Sequence, residues 1–225
     1  MDEKGDILSS MAGFLFWVLE ERSAHGLIVF FMNSSRGQAD CSRLFFSEKP
    51  IMNIVLIGYR CSGKTSVGRI VAENAEMSFL DTDLLIERES GRSIAEIVSG
   101  DGWEYFRKLE KSVVKEASDL DSCVISAGGG VVMDEDNIRN LKKNGFVVWL
   151  KGDIKVLAER MEKDRQSGQE RPSLTGENPV QEIKRILDLR NPLYKQAADY
   201  VIDTSCRSLK EIAKLVINRT RHIIA

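Results

Sequence analysis

The chain is poor in the residues from which several kinds of site are built. Its 225 residues include four cysteines, Cys41, Cys61, Cys123 and Cys206, and two histidines. No C-x-x-C spacing occurs, so neither a disulfide framework nor a zinc site is indicated, and the pattern suits a reducing, cytoplasmic compartment. Cys123 and Cys206, in strand or strand-end contexts, are expected to be shielded, and Cys41 exposed. An excess of charge of one sign is lacking as well. Basic residues number 32 against 34 acidic, a formal net charge of −2, which leaves no broad cationic surface for nucleic acid or an anionic membrane. Long hydrophobic runs are also missing. The stretch "FLFWVLEERSAHGLIVFF" holds two apolar clusters, Phe14 to Leu19 and Leu27 to Phe31, split by Glu20, Glu21 and Arg22. Neither approaches the roughly 20 apolar residues of a membrane-spanning helix, and the opening "MDEKGD" is not the basic start of a secretory signal. Internal repeats and low-complexity tracts are absent.

What is present is enough for a core: 43% of the residues are hydrophobic, in a length that suits one domain with a tail. Residues 33–50 read as a linker, and residues 1–51 as an extension that is either poorly ordered or upstream of a true start at Met52. From Met52 to Ala225, strand-like and helix-like segments alternate. Strands are expected at 53–57, 78–81, 122–126, 146–150 and 200–203, and helices around 64–75, 102–118, 134–143, 153–163, 179–190 and 208–220. Such alternation implies an α/β fold, a parallel sheet covered by helices, with ligands gathered at the C-terminal ends of the strands.

Four motifs fall just after expected strands or on the helices that follow. "NIVLIGYRCSGKTSVG", Asn53 to Gly68, sets a strand against G-x-x-x-x-G-K-[ST] and the start of a helix. Glycines in such a loop turn backbone N–H groups toward phosphate oxygens at a helix N-terminus. Cys61, Ser62, Gly63, Lys64, Thr65 and Ser66 are the candidate nucleotide contacts, with Lys64 reaching the β- and γ-phosphates and the Thr65 hydroxyl offered to Mg²⁺. In "FLDTDLL", Asp81 and Asp83 stand two apart at a strand's end, so in extended chain both carboxylates face one side. Either one of them caps the following helix, or the pair supplies a magnesium-linked carboxylate and a proton acceptor for an attacking hydroxyl.

In "WEYFRKLEKSVVKEA" the apolar stripe is Trp103, Phe106, Leu109, Val113, Val114 and Ala117, and Arg107 and Glu110 fall toward it. Arg107 reads as a recognition residue for an anion with Glu110 fixing its guanidinium, a buried structural pair being the alternative. In "CVISAGGGVV", Gly128, Gly129 and Gly130 follow a strand, a run that is unfavourable in backbone entropy unless something must come close. A plain turn would need fewer glycines. "EKDRQSGQERPSLTGENP", Glu162 to Pro179, has the polar, glycine- and proline-bearing composition of a hinged flap or of a plain surface loop.

Taken in order, these motifs resemble those of the shikimate kinases over essentially all of residues 52–225. The P-loop is followed by D-x-D (Asp81, Asp83), F-R-x-x-E (Phe106, Arg107, Glu110), G-G-G (Gly128 to Gly130), R-P in the lid (Arg171, Pro172) and R-x-P-L-Y (Arg190, Pro192, Leu193, Tyr194). The resemblance implies a P-loop kinase fold like that of nucleoside monophosphate kinases, a five-stranded parallel sheet of order 2-3-1-4-5 flanked by helices, with a lid at about 162–179. It implies ATP-dependent phosphorylation of the 3-hydroxyl of shikimate, on the way to chorismate and aromatic amino acids. ATP is then the co-substrate and one Mg²⁺ serves each active site of a cytoplasmic monomer.

By the same resemblance Arg107 and Arg190 hold the shikimate carboxylate and the triple glycine lies around the ring. Asp83 binds the ring hydroxyls as base, and Asp81 holds Mg²⁺ through water. Arg171 neutralises the transferring phosphoryl, and Arg207 contacts the adenine end. Departures from the family pattern are Cys61 in place of a third loop glycine, a longer lid, and Ser173 where the family has an apolar residue. A thiol at Cys61, close to Arg60, Lys64 and a helix N-terminus, is expected to favour thiolate. Another small-molecule P-loop kinase, such as a gluconate kinase, is the alternative enzyme. A non-catalytic nucleotide-binding regulatory protein is the alternative of another class.

Overall fold

Asn53–Ile57 is buried at every position, which is what a central strand covered on both faces requires. In the computed structural model, which describes residues 16–23, 26–33, 44–45, 52–166 and 178–224, the chain divides into two units, Met1–Pro50 and Ile51–Ala225. Within the first unit, β1 (Phe16–Ser23) and β2 (Gly26–Asn33) pair antiparallel, in a register running from Phe16 opposite Asn33 to Ser23 opposite Gly26. Phe16 to Leu19 of the first apolar cluster and the whole of the second, Leu27 to Phe31, fall on these strands. A two-residue β3 (Leu44–Phe45), inside the stretch expected to be linker, pairs with β2.

The second unit carries a five-stranded parallel sheet: β4 (Asn53–Ile57), β5 (Ser78–Asp81), β6 (Cys123–Ser126), β7 (Gly145–Lys151) and β8 (Tyr200–Asp203). Their order is β5-β6-β4-β7-β8, which is 2-3-1-4-5 counted within the unit, as expected. Side chains alternate across the sheet with the period of two that extended chain imposes. Val55 and Ile57 join Val114, Ile125, Leu141, Val147, Trp149 and Tyr194 on one face. Ile54 and Leu56 join Val67, Val71, Val124, Val148, Leu150 and Val216 on the other. At roughly 1.5–3 kcal/mol per buried Val, Leu or Ile, these two layers are what hold the strands in register.

The helices are α1 (Lys64–Ala75), α2 (Thr82–Ser90), α3 (Ile94–Ser118), α4 (Glu135–Lys143), α5 (Ile154–Gln166), α6 (Pro179–Ala197) and α7 (Leu209–Ile224). Three differ most from expectation, while α5 and α7 run three and four residues further than expected. α2 was not foreseen, although Asp81 caps its start and Gly91, at φ 66°, ends it. α3 begins eight residues before Gly102, the non-helical residue (φ 81°, ψ 170°) at which a helix was expected to start. Its true start carries a capping box, with Ser93 and Glu96 each bonding the other's backbone N–H, the S-x-x-E signature of a helix N-terminus. α6 runs through Pro192 to Ala197 rather than stopping at Arg190. The ring removes one helical bond, but Tyr194 and Ala197 beyond it are buried in the core, and that packing carries the helix on.

Because all five strands run the same way, the segments after β4, β5 and β6 share one edge of the sheet. The P-loop, the aspartate pair and the triple glycine are those segments.

Candidate active site

The loop from Gly58 to Thr65 is shaped by positive backbone angles at Gly58 (φ 145°), Cys61 (φ 61°) and Gly63 (φ 96°). At Gly58 no side chain fits: a Cβ would run into the Leu150 carbonyl at the end of β7. Lys64, the first residue of α1, is buried, and its Nζ donates to the carbonyls of Gly58 and Tyr59, each at 3.0 Å. Those bonds hold the ammonium against the loop. The Thr65 hydroxyl donates to Asp81 Oδ2 at 2.8 Å, so the loop and the aspartate pair are directly joined.

Asp81 performs the capping task, since its Oδ1 accepts from the backbone N–H of Asp83 (3.1 Å) and of Leu84 (3.4 Å), while its Oδ2 takes the threonine hydroxyl. The extended-chain account of the pair does not hold, however. Asp83 lies in the first turn of α2, so its carboxylate leaves the strand's line and lies beside the triple glycine. A Cβ on Gly128 would come 2.6 Å from Asp83 Oδ1 and 3.1 Å from Glu110 Oε1. The Gly128 N–H, in turn, donates to Thr82 Oγ1 at 2.9 Å.

Each of the three glycines admits a different neighbour. Gly128 admits Asp83 and Glu110; Gly129 abuts the P-loop backbone, where a Cβ would stand 3.4 Å from Arg60 N and 3.5 Å from Gly58 O; Gly130 admits the guanidinium of Arg107, with which a Cβ would overlap. Arg107 donates to Glu110 Oε2 at 2.6 Å and lies over the rings of Trp103 (5.6 Å) and Phe106 (5.2 Å). The Gly129 carbonyl accepts from Arg190 (3.0 Å) and from the Tyr194 hydroxyl (2.5 Å), both on α6. Burial pushes the Tyr194 phenol well above its ordinary range.

This packing predicts two separable defects. On the roles expected from the sequence, Gly128→Ala, which displaces Asp83, should lower kcat, whereas Gly130→Ala, which displaces Arg107, should raise the KM of the acceptor. In both cases the atoms met are ends of flexible side chains, so melting should stay cooperative. Steady-state kinetics on the two variants checks this, and identical defects would contradict it.

Glu110 is 1% exposed as a side chain while Arg107 is 31% exposed. Burial pushes the Glu110 carboxyl up from its ordinary value of 4.5, against the pull of Arg107 and with a further push from the Asp83 charge. Its Oε1 has no hydrogen-bond partner among the described residues, which leaves that oxygen's desolvation uncompensated. A carboxyl raised in the fold contributes stability below its unfolded value, and that contribution is lost as pH rises through the folded value. The thermal midpoint of Glu110→Gln should therefore gain on that of the parent as pH is taken from about 4 to 7. A constant difference would contradict the assignment.

Trp103, placed on the buried stripe by periodicity, is 38% exposed. Arg207 is exposed on the loop after β8, donating to the Asp203 carbonyl at 2.7 Å. Leu209, two residues on, lies within 3.4 Å of where a Cβ on Gly63 would be, which brings this loop to the side of the P-loop. Arg171 and Ser173, with residues 167–177 of the lid segment, lie outside the described residues, as does Cys41.

Several contacts at the site were not foreseen. Arg60 forms a buried ion pair with Glu182 of α6. Arg160 of α5 donates to the Cys61 carbonyl (3.4 Å) and to the Thr204 carbonyl (2.8 Å). The Cys61 thiol donates to Asp164 Oδ2 at 3.3 Å. Asp164 sets a negative charge against that thiol, in opposition to the electropositive surroundings expected from Arg60 and Lys64. Cys123 is buried, as expected, but Cys206 is exposed rather than shielded, because it sits on the open turn after β8 rather than in the strand.

Comparison with known proteins identifies relatives of the chain. The family model for shikimate kinase matches residues 60–221. A shikimate kinase of Caldanaerobacter subterraneus subsp. tengcongensis is 44% identical over 165 residues, which is 73% of this chain and 94% of that protein. The solved shikimate kinase of Acinetobacter baumannii, in complex with shikimate, superposes with a TM-score of 0.72 at 33% identity, covering 77% of this chain and 95% of that one. A gluconokinase from Sinorhizobium meliloti superposes at 0.51 with 19% identity, covering 78% of this chain and 95% of that one, a likeness of fold alone.

Proposed function

The chain belongs to the shikimate kinase family, and from that premise we propose how its residues carry out the reaction. The enzyme transfers the γ-phosphoryl group of ATP to the 3-hydroxyl of shikimate, giving shikimate 3-phosphate and ADP. The observation that carries the residue assignment is the way Gly128, Gly129 and Gly130 seat Asp83, the P-loop backbone and Arg107 side by side. On this reading, donor loop, base and acceptor arginine meet at one three-residue turn.

Lys64 and the backbone N–H groups from Cys61 to Ser66 hold the phosphates, and the lysine ammonium exchanges its loop carbonyls for phosphate oxygens. Arg107, held by Glu110, and Arg190, held at the Gly129 carbonyl, take the shikimate carboxylate, for which a planar guanidinium fork is the fitting partner. The Gly128 to Gly130 backbone lies along the ring. Asp83 accepts the proton of the 3-hydroxyl as that oxygen attacks. Arg171 stabilises the charge of the transferring phosphoryl and Arg207 borders the adenine.

The Thr65 hydroxyl and the Asp81 carboxylate, 2.8 Å apart, form the sparse set of hard oxygen donors that magnesium takes from protein while keeping its waters. They would hold one Mg²⁺, Asp81 through water. When bound, the ion neutralises charge across the β- and γ-phosphates. Every one of these residues lies in 52–225, and the proposal is of an enzyme that works as a monomer in the cytoplasm. Among the described residues no helix is long and apolar enough to cross a membrane.

A coupled assay of ADP release tests the reading. Release is expected to depend on shikimate and not to be supported by gluconate. Release indifferent to shikimate would point to another acceptor, and no turnover with either would favour a nucleotide-binding regulatory role.

A further inference from the structure

Arg60 and Glu182 are 122 residues apart in sequence, yet they meet as an ion pair whose side chains are 10% and 3% exposed. Arg60 stands inside the phosphate loop. Its Nε donates to the Tyr59 hydroxyl at 3.2 Å and its guanidinium lies 5.5 Å from that ring's centroid. Tyr59 packs among Leu157, Ile183, Ile186 and Leu187 of α5 and α6. Burial pushes its phenol up, so it stays neutral and keeps its hydroxyl hydrogen. Glu182, in the first turn of α6, thus finds a loop arginine already fixed in direction.

The same helix reaches the loop a second time. Further along α6, Arg190 and Tyr194 both bond the Gly129 carbonyl, and Gly129 rests against the backbone of Arg60 and Gly58. Residues 182 and 190 are about 12 Å apart along a helix axis at 1.5 Å per residue. A helix held at two points that far apart cannot slide or tilt without breaking one of them. A buried ion pair is a poor device for stability, since apolar residues of like volume often do as well, but it does select one geometry.

We propose that Arg60 and Glu182 are positioning residues for the phosphoryl transfer: by tying α6 to the donor loop, they fix where Arg190 presents its guanidinium to the acceptor. Neither is assigned a contact with shikimate in the scheme above. Glu182 acts through Arg190, and Arg60 is the loop's anchor for it. This rests on the assignment of Arg190 to the shikimate carboxylate given above.

The test is a double-mutant cycle in shikimate KM among the parent, Glu182→Gln, Arg190→Ala and the double variant, with thermal midpoints recorded alongside. In the parent background Glu182→Gln should raise the shikimate KM about tenfold, and in the Arg190→Ala background by less than about twofold, because a residue acting through another has nothing left to act on once that one is gone. A merely structural role would show the same factor in both backgrounds, and that result, or no rise in the parent, overturns the proposal. Failure of the Arg190 assignment is read separately, since Arg190→Ala alone would then leave the shikimate KM where it was, which overturns both. Should Glu182→Gln lose its cooperative melt, Arg60→Met with Glu182→Leu, which fills the same space with apolar atoms, takes its place in the cycle with the same outcomes.

Discussion

Asp83→Asn is expected to lower kcat by about 10²–10⁴-fold, the range that a positioned general base contributes, with little change in the thermal midpoint. The amide has the shape of the carboxylate, so it fits beside Gly128 and leaves the first turn of α2 as it is. What it loses, on the proposed role of Asp83, is the ability to take the proton of the 3-hydroxyl. Two smaller effects accompany the change and oppose each other. An acid in a helix's first turn is worth roughly 0.3–1 kcal/mol against the helix dipole, which is lost. The push that Asp83 exerts on the Glu110 carboxyl is relieved. Residual turnover should persist, because phosphoryl transfer depends mostly on positioning and charge neutralisation. The measurement is kcat at saturating ATP and shikimate, set beside a melting curve. A variant within twofold of the parent rate would remove Asp83 from the role of base.

Features written in contiguous residues were legible in the sequence. The phosphate loop is one, because a glycine spacing, a lysine and a preceding apolar strand all fall within sixteen residues of chain, Asn53 to Gly68. The five strands are others, whereas their order came only with the family resemblance. What was not legible was the partner of each charged side chain, wherever that partner lies far off in sequence. Arg60 finds Glu182, and Cys61 finds Asp164; no local pattern announces either. The aspartate pair shows a subtler limit. Its spacing could be read, but the change of backbone from strand to helix at Thr82 redirects Asp83, and that turn is set by the cap Asp81 makes. Gly91 and the Ser93 to Glu96 capping box did mark α2 and the start of α3. Those signals are short beside the apolar periodicity of the segment after Gly102, and the longer pattern masked them. The triple glycine announced close approach correctly, but only the fold names the neighbours as Asp83, the loop backbone and Arg107.

Arg107→Ala should raise the shikimate KM by about 10- to 100-fold with the ATP KM held within about twofold, the loss of a charge-assisted bond worth roughly 1.5–3 kcal/mol. It should also destabilise the fold, for a separate reason. Glu110, 1% exposed as a side chain, would be left without the guanidinium that offsets its burial. Breaking a fully buried pair costs about 3–5 kcal/mol. Here the loss is smaller, because Arg107 is 31% exposed and screened, and because burial already favours the neutral form of Glu110. The two consequences can be pulled apart. Adding Glu110→Gln to Arg107→Ala removes the stranded charge, so it should return the thermal midpoint toward the parent value and leave the shikimate KM high. Arg107→Lys should do something intermediate: the ammonium still faces Glu110 but offers no planar fork to a carboxylate, so stability recovers further than KM does. If instead KM and stability recovered together in both variants, Arg107 would be a structural cation, and the shikimate carboxylate would have to be held elsewhere.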